Sequence, residues 1–195
     1  MDYAHQTTPP VVTGTADSLA SAVQLLLDQS AIRDLVAIYS IARDDNDIEA
    51  LLECFAPQGS FVINGTPVVG RDALRTFYIG NMDRYTTSLH VTHTHLIQIN
   101  GADRATGVVT GHAELALGET LMMAAYRYAD RYAKTAGRWV FGERILRFMY
   151  AVPFDEMGRS FTSPLRMRWP GTDPAPADFP ETLSTWDTYR SWSST

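Results

Sequence analysis

Four strand-length segments, 88–99, 105–117, 120–133 and 138–151, follow one another almost without interruption. Only short turn sequences separate them: NGAD, a break at Gly118, and KTAG. Links this short permit hairpins but not parallel pairing, which needs a crossover of a dozen residues or more. The second half of the chain is therefore committed to a meander of long antiparallel strands. The segment after Gly118, TLMMAAYRYADRYA, also contains helix formers, and its hairpin-like neighbours on both sides decide for strand.

The first half is helical. Residues 1–16 are Thr/Pro-rich and predict an extended arm. Asp17 or Ser18 can cap a helix carrying Leu19, Val23, Leu26 and Leu27 at helical spacing. Ser30 reads as a second N-cap, and Ile32, Leu35, Val36, Ile38 and Tyr39 predict an amphipathic helix over 31–44, ended by the DDND run. Asp47 caps a short helix, IEALLECF, which stops at Pro57. Ser60–Ile63 reads as a strand, Asn64-Gly65 as a tight hairpin turn and TPVV as the return strand, followed by a helix over 71–82. Helices first and strands later predict an α+β fold, with N-terminal helices closing one face of a curved antiparallel sheet. The concave space between them is where a small ligand would sit.

At 195 residues the chain predicts one domain with extensions. Residues 1–25 form an arm and the start of the first helix, 26–152 the domain, and 153–195 a C-terminal arm. Prolines 153, 164, 170, 174, 176 and 180 keep long regular elements out of that arm. Trp169, Phe179, Trp186, Tyr189 and Trp192 give it apolar anchors, so it is expected to be ordered, packing on the domain, on a neighbouring subunit or over the pocket mouth.

The composition excludes several function classes. Net charge is −6 and the arginines are scattered, which argues against nucleic acid as a partner. No apolar run approaches a membrane span, and MDYAHQTTPPVV lacks the basic-then-apolar pattern of a signal peptide, so a cytoplasmic protein is expected. The single cysteine, Cys54, in the apolar pattern LLECF, reads as a buried thiol and rules out an intrachain disulfide. Lys134, the only lysine, lies in a turn-like sequence and is a poor Schiff-base candidate.

The chemistry-bearing residues cluster in Ser88–Ile99, SLHVTHTHLIQI. It holds His90, His93 and His95, and the next strand adds His112. Upstream stand Asp44, Asp45 and Asp47. An Asp bonded to one imidazole nitrogen fixes the tautomer and raises the basicity of the other, which can then take a C–H proton. Strand alternation places Val108, Thr110, His112, Glu114 and Ala116 on one face. Facing the concavity, His112 is a second proton carrier; facing out, it is a surface histidine beside Glu114. His93 and His95, as H-x-H, would share a face opposite His90. That face offers no evident acidic ligand, so no metal and no cofactor are expected. Tyr39, five residues before Asp44, is either a phenol donor to substrate or a core aromatic with its hydroxyl at the rim.

The run AIRDLVAIYSIARDDNDIEALLECFAP, a following G-x-x-A-L helix, LHVTHTHLIQI and a G-x-W strand together resemble the SnoaL-like branch of the nuclear-transport-factor-2-like superfamily, over roughly residues 26–152. Within it the pattern is similar to dehydratases, namely scytalone dehydratase and bile-acid 7α-dehydratase, and to hexachlorocyclohexane dehydrochlorinase. The resemblance implies a cone-shaped α+β barrel, and a homodimer or homotrimer packed through the outer sheet face. It also implies site residues. Tyr39 and Asp44 match the Y-x-x-x-x-D of the bile-acid enzyme, and Asp44 matches the Asp of the scytalone enzyme. His90 matches the catalytic first histidine of S-M-H-M-G-H-T. His112 resembles the scytalone enzyme's second histidine. Arg147 matches an active-site arginine with the register offset by one. The chain departs from these families in its longer termini and in His93 and His95.

These features predict a cofactor-independent lyase, a dehydratase acting on a hydroxylated apolar, polycyclic small molecule by His/Asp acid–base chemistry. An isomerase or polyketide-type cyclase would use the same dyad. The remaining alternative is a non-catalytic ligand-binding or assembly domain.

Overall fold

One helix, α1 (Leu19–Asp44), runs through the segment that the sequence divides at Ser30. The computed structural model describes residues 19–193, so the arm before it and the Asp17 and Ser18 caps lie outside the described residues. A serine inside a helix costs only a few tenths of a kcal/mol (about 0.5 relative to alanine). Among the described residues no tertiary contact compels a break there, since Leu19, Val23, Leu26 and Leu27 stay exposed and packing begins at Asp28 and Ile32. From Ile32 onward the stripe Ile32, Leu35, Val36 and Tyr39 is buried.

Asp47 caps α2 (Ile48–Glu53) by accepting the Ala50 N–H at 3.0 Å. β1 (Phe55–Ile63) and β2 (Thr66–Val69) form the expected hairpin, with Asn64 and Gly65 both at positive φ. After α3 (Arg71–Met82) come the four long strands β3 (Thr87–Ile99), β4 (Arg104–Leu117), β5 (Thr120–Thr135) and β6 (Arg138–Pro153). Their order in the sheet is β2-β1-β6-β5-β4-β3. The class is α+β, and two details differ from a purely antiparallel barrel. β1 runs parallel to β6. The sheet is also open, since β2 and β3 are its edges. The chain between β1 and β6 includes the whole meander, which is long enough to bring the last strand back alongside the first in parallel.

The core lies between the concave sheet face and the helices. Ile32, Val36 and Tyr39 of α1 join Leu51, Leu52, Leu74, Tyr78, Val109 and Phe141 in one buried cluster. Cys54 belongs to it, and burial pushes its thiol up to about 11. Lys134 is held at the edge by Asp28, with Nζ 2.6 Å from Oδ1, and lies over the Trp139 ring.

Two glycines on the inner face of β4 make room for tyrosines. A Cβ on Gly111 would lie 2.7 Å from Tyr126 Oη and 2.6 Å from the Val91 carbonyl oxygen, and one on Gly107 would lie 2.9 Å from Tyr132 Oη. Their backbones are ordinary; the constraint is space. Gly111→Ala is expected to lower stability by about 1–3 kcal/mol through overpacking. Thermal melts of the variant beside wild type check this.

The C-terminal arm folds back on its own sheet. After a 3₁₀ turn (Phe154–Glu156) and α4 (Met157–Phe161), Met167 bridges to Ala151 of β6 and to Ala175. Arg166, 6 % exposed, grips Glu181 through two nitrogens at 2.8 and 2.7 Å and donates to the carbonyls of Met149, Ser163 and Phe179. Trp169 packs edge-on against Phe148, and Phe179 is buried. The later aromatics do not pack on this chain's own sheet: α5 (Ser184–Ser193) buries none of its residues, and Tyr189 and Trp192 are exposed.

Candidate active site

The last two turns of α1 and the inner faces of β3–β6 enclose a cavity of about 260 Å³. Tyr39 and Arg43 come from α1, and Tyr78, Asn81, Arg84 and Tyr85 from α3 and the segment after it. His90 comes from β3, and Ala113, Leu115, Tyr126, Tyr128, Leu146 and Phe148 from the sheet floor. Trp169 and Thr172 of the arm complete the wall.

His90 points inward because it pairs with Ala113, on the buried face of β4. Its Nδ1 lies 2.6 Å from Asp44 Oδ1. The backbone N–H of His90 donates to Asp44 Oδ2 at 2.8 Å, and Ser88 Oγ donates to Oδ1 at 3.3 Å. Burial pushes the Asp44 carboxyl up, but the bonds from the His90 ring and backbone outweigh it and, with Ser88, hold the group below the usual carboxylate range. Asp44 thus stays ionised although it ends a helix, where the dipole disfavours negative charge. An ionised Asp44 accepts from Nδ1–H, which leaves Nε2 of a neutral His90 bare and basic. The imidazole side chain is 10 % exposed and the carboxylate 18 %.

Tyr39 lies against the same cavity, 2 % exposed, its hydroxyl 3.1 Å from that of Tyr78. The structure therefore brings together Tyr39, Asp44 and His90. It places His112 and Arg147 elsewhere. His112 faces Val91 across the strand pair, on the outer sheet surface, with its Nδ1 2.6 Å from His93 Nε2 and its Nε2 3.8 Å from Glu114. This is the outward alternative. Arg147 pairs with Arg127 on the outer face and lines a groove beside the arm with Ala177 and Asp178.

The H-x-H pair is split. A register shift between Thr92 and His95 inserts an extra residue into β3. His93 stays on the outer face while His95 turns inward to face buried Val109, on the same side as His90. The sequence expectation of a shared face for His93 and His95 is thereby corrected.

His95 belongs to a buried polar chain that sequence reading missed. Arg144 Nε and Nη2 donate to Asp130 Oδ1 and Oδ2 at 2.9 and 2.8 Å, and neither side chain is exposed. The Tyr132 hydroxyl donates to Asp130 Oδ2 at 2.7 Å, so it accepts from His95 Nε2 at 2.9 Å. The Arg144 guanidinium is stacked among Tyr39, Tyr128 and Phe141 at 4.0–4.3 Å from their ring centres. This chain lies beneath the cavity floor and fixes Tyr39 and Tyr128 from below. Burial lowers the His95 pKa from 6.5 to about 4, partly offset by Asp130. A lowered histidine pKa means that the unfolded chain binds the extra proton first. The stability held above pH 6.5 is therefore lost as pH falls toward 4. Denaturant midpoints measured across that window are expected to fall with pH, and less steeply in His95→Gln.

A curved α+β sheet covered by N-terminal helices places the chain in the cone-fold class, with a carboxylate-held histidine facing an aromatic cavity. Residues 24–145 match the model of the SnoaL-like domain, and the chain belongs to that family, within the nuclear-transport-factor-2-like superfamily. Three solved structures are similar. A candidate scytalone dehydratase of Novosphingobium aromaticivorans is 20% identical over 68% of this chain and 91% of its own, with a TM-score of 0.64. Rv3472 of Mycobacterium tuberculosis, described as of unknown function, is 27% identical over 66% of this chain and 76% of its own, at 0.61. The type-3 hexachlorocyclohexane dehydrochlorinase of Novosphingobium barchaimii is 19% identical over 68% and 94%, at 0.64. No curated protein sequence matches the chain. Among the described residues no helix is long and apolar enough to cross a membrane.

Proposed function

We propose that this protein is a cofactor-independent lyase, a dehydratase acting on a hydroxylated apolar small molecule. The observation that carries the reading is the 2.6 Å bond from His90 Nδ1 to Asp44 Oδ1, with the imidazole facing an aromatic cavity. His90 Nε2 takes a proton from a carbon next to a carbonyl, and the C–H electron pair moves onto the carbonyl oxygen. The pair returns to form the C=C bond as the neighbouring hydroxyl leaves. That hydroxyl takes the proton back from His90 and departs as water, so the base is regenerated and the overall change is loss of one water. Tyr39 donates to a substrate oxygen. His112 and Arg147, outside the cavity, have no part in these steps. Isomerisation or cyclisation would begin with the same proton removal.

At 260 Å³ the cavity is at the small end of ligand pockets, which favours a compact bicyclic or tricyclic compound over a four-ring steroid. The reading extends to a cytoplasmic homodimer or homotrimer packed through the outer sheet face, where Leu89, Leu96 and Leu121 remain exposed. Light scattering of the purified protein tests the oligomer.

The test of the reaction is a panel of hydroxylated bicyclic ketones and aromatic polyketides, incubated with the protein and followed by mass spectrometry. Loss of one water from a subset of the panel is expected. Saturable binding across the panel with no change of mass and no new isomer on chromatography would replace the lyase by a carrier; a new isomer of unchanged mass would replace it by an isomerase or cyclase.

A further inference from the structure

Three arginines are buried among the described residues: Arg43, Arg144 and Arg166. Two hold a carboxylate through two nitrogens each, Arg144 with Asp130 and Arg166 with Glu181. The third is different. Arg43 is 7 % exposed, lies over the Tyr78 ring at 5.3 Å and lines the cavity. Its Nη1 is buried with no hydrogen-bond partner among the described residues. Among the described residues no aspartate or glutamate lines that cavity, and the adjacent Asp44 spends its oxygens on Ser88 and His90. Arg84, the other cation in the lining, adds positive charge.

A buried guanidinium with no carboxylate is costly; Arg144 also leaves its Nη1 without a partner, but its charge is paired with Asp130, as that of Arg166 is with Glu181. Arg43 has no such carboxylate among the described residues, and the residue lines the ligand cavity. Arg43 and Asp44 are consecutive on the last turn of α1, about 100° apart around the helix. One turn of helix therefore both orients the base and supplies a desolvated positive charge.

We propose that Arg43 seats an anionic oxygen of the ligand, the one that becomes an enolate when His90 removes the proton. The substrate class is then narrowed to compounds whose acidic C–H adjoins a carbonyl, with the hydroxyl that leaves on the next carbon. Naming the oxygen an enolate rests on His90 as base; the anion seat itself does not.

The test uses 6-cyano-2-naphthol, a planar bicyclic phenol whose neutral and ionised forms have different absorption spectra, at fixed near-neutral pH. Wild type is expected to bind it largely as the naphtholate. Arg43→Met is expected to bind the anion on the order of tenfold more weakly or worse and to shift the bound form toward neutral naphthol. Arg43→Lys keeps most of the ionised fraction, and so does His90→Ala. Arg43→Met is also expected to melt at or above the wild-type temperature, because it removes an unsatisfied buried donor. A guanidinium that serves only the fold would instead lower the melt and leave naphtholate binding unchanged, which overturns the proposal. So does failure of wild type to bind the naphthol saturably. Naphtholate bound through Arg43 alongside a panel that never loses water would remove the lyase reading and leave the anion seat standing.

Discussion

Asp44→Asn is expected to cost roughly 100- to 10,000-fold in turnover while ligand still binds. The reason lies in the tautomer. Asp44 accepts from the His90 ring on one oxygen and from the His90 backbone on the other. An asparagine can present one oxygen. Keeping the backbone bond turns its amide N–H toward His90 Nδ1, which must then be the bare nitrogen, so the proton moves to Nε2 and the base is blocked. His90→Ala removes the base outright and is expected to lose at least as much. Turnover assays beside thermal-shift binding check both variants. Turnover within a few-fold of wild type in Asp44→Asn would mean that the pair does not set the chemistry.

The second large effect is on stability. Arg144→Met leaves Asp130 as a buried charge held only by the Tyr132 hydroxyl, and it empties the slot between Tyr39, Tyr128 and Phe141. Breaking one side of a buried pair costs about 3–5 kcal/mol, which for a chain of this size corresponds to roughly 6–20 °C in melting temperature. Asp130→Leu strands the cation instead, at similar cost. The double variant Arg144→Met/Asp130→Leu is expected to recover a large share, because no charge is then left unpaired. Urea unfolding of the two single variants and the double variant measures the coupling. Single-variant losses below about 1 kcal/mol would show that the pair is not a structural element of the floor.

Much of this architecture can be read from the residues. The four long strands end within two residues of where their turn sequences place them, and Asp47 and Asn64-Gly65 do the local work their chemistry suits. The meeting of Asp44 and His90 was also expected, though on the strength of motif likeness, since strand periodicity alone cannot say which face of β3 points inward.

The misses have physical causes. An apolar stripe that resumes after Ser30 looks the same in a continuous helix as in two helices. The parallel β1–β6 pairing depends on where the meander ends in space and leaves no local signal. The extra residue in β3 breaks strand alternation, so His95 lands on the side opposite to its expected one. Arg144 and Asp130, in GERIL and YADRY, look like the solvated face of a strand, because only the three-dimensional pairing reveals that each neutralises the other. The inward glycines of β4 offered the one available signal of that interior: small residues at every fourth position opposite a tyrosine-rich strand. Arg43 passes for an ordinary basic residue in the last turn of a helix; only its burial without a carboxylate partner sets it apart.

The central claim is that His90, held by Asp44, moves a carbon-bound proton inside the cavity. The most direct measurement is hydrogen–deuterium exchange at the carbon next to the carbonyl, in heavy water, on a bound ketone that lacks the leaving hydroxyl. Wild type and His90→Ala would be compared at ligand concentrations that saturate both. Exchange catalysed by wild type and abolished in His90→Ala, with binding retained, is the predicted result. Exchange at equal rates in the two proteins would contradict the claim and leave the dyad as a structural feature of the fold.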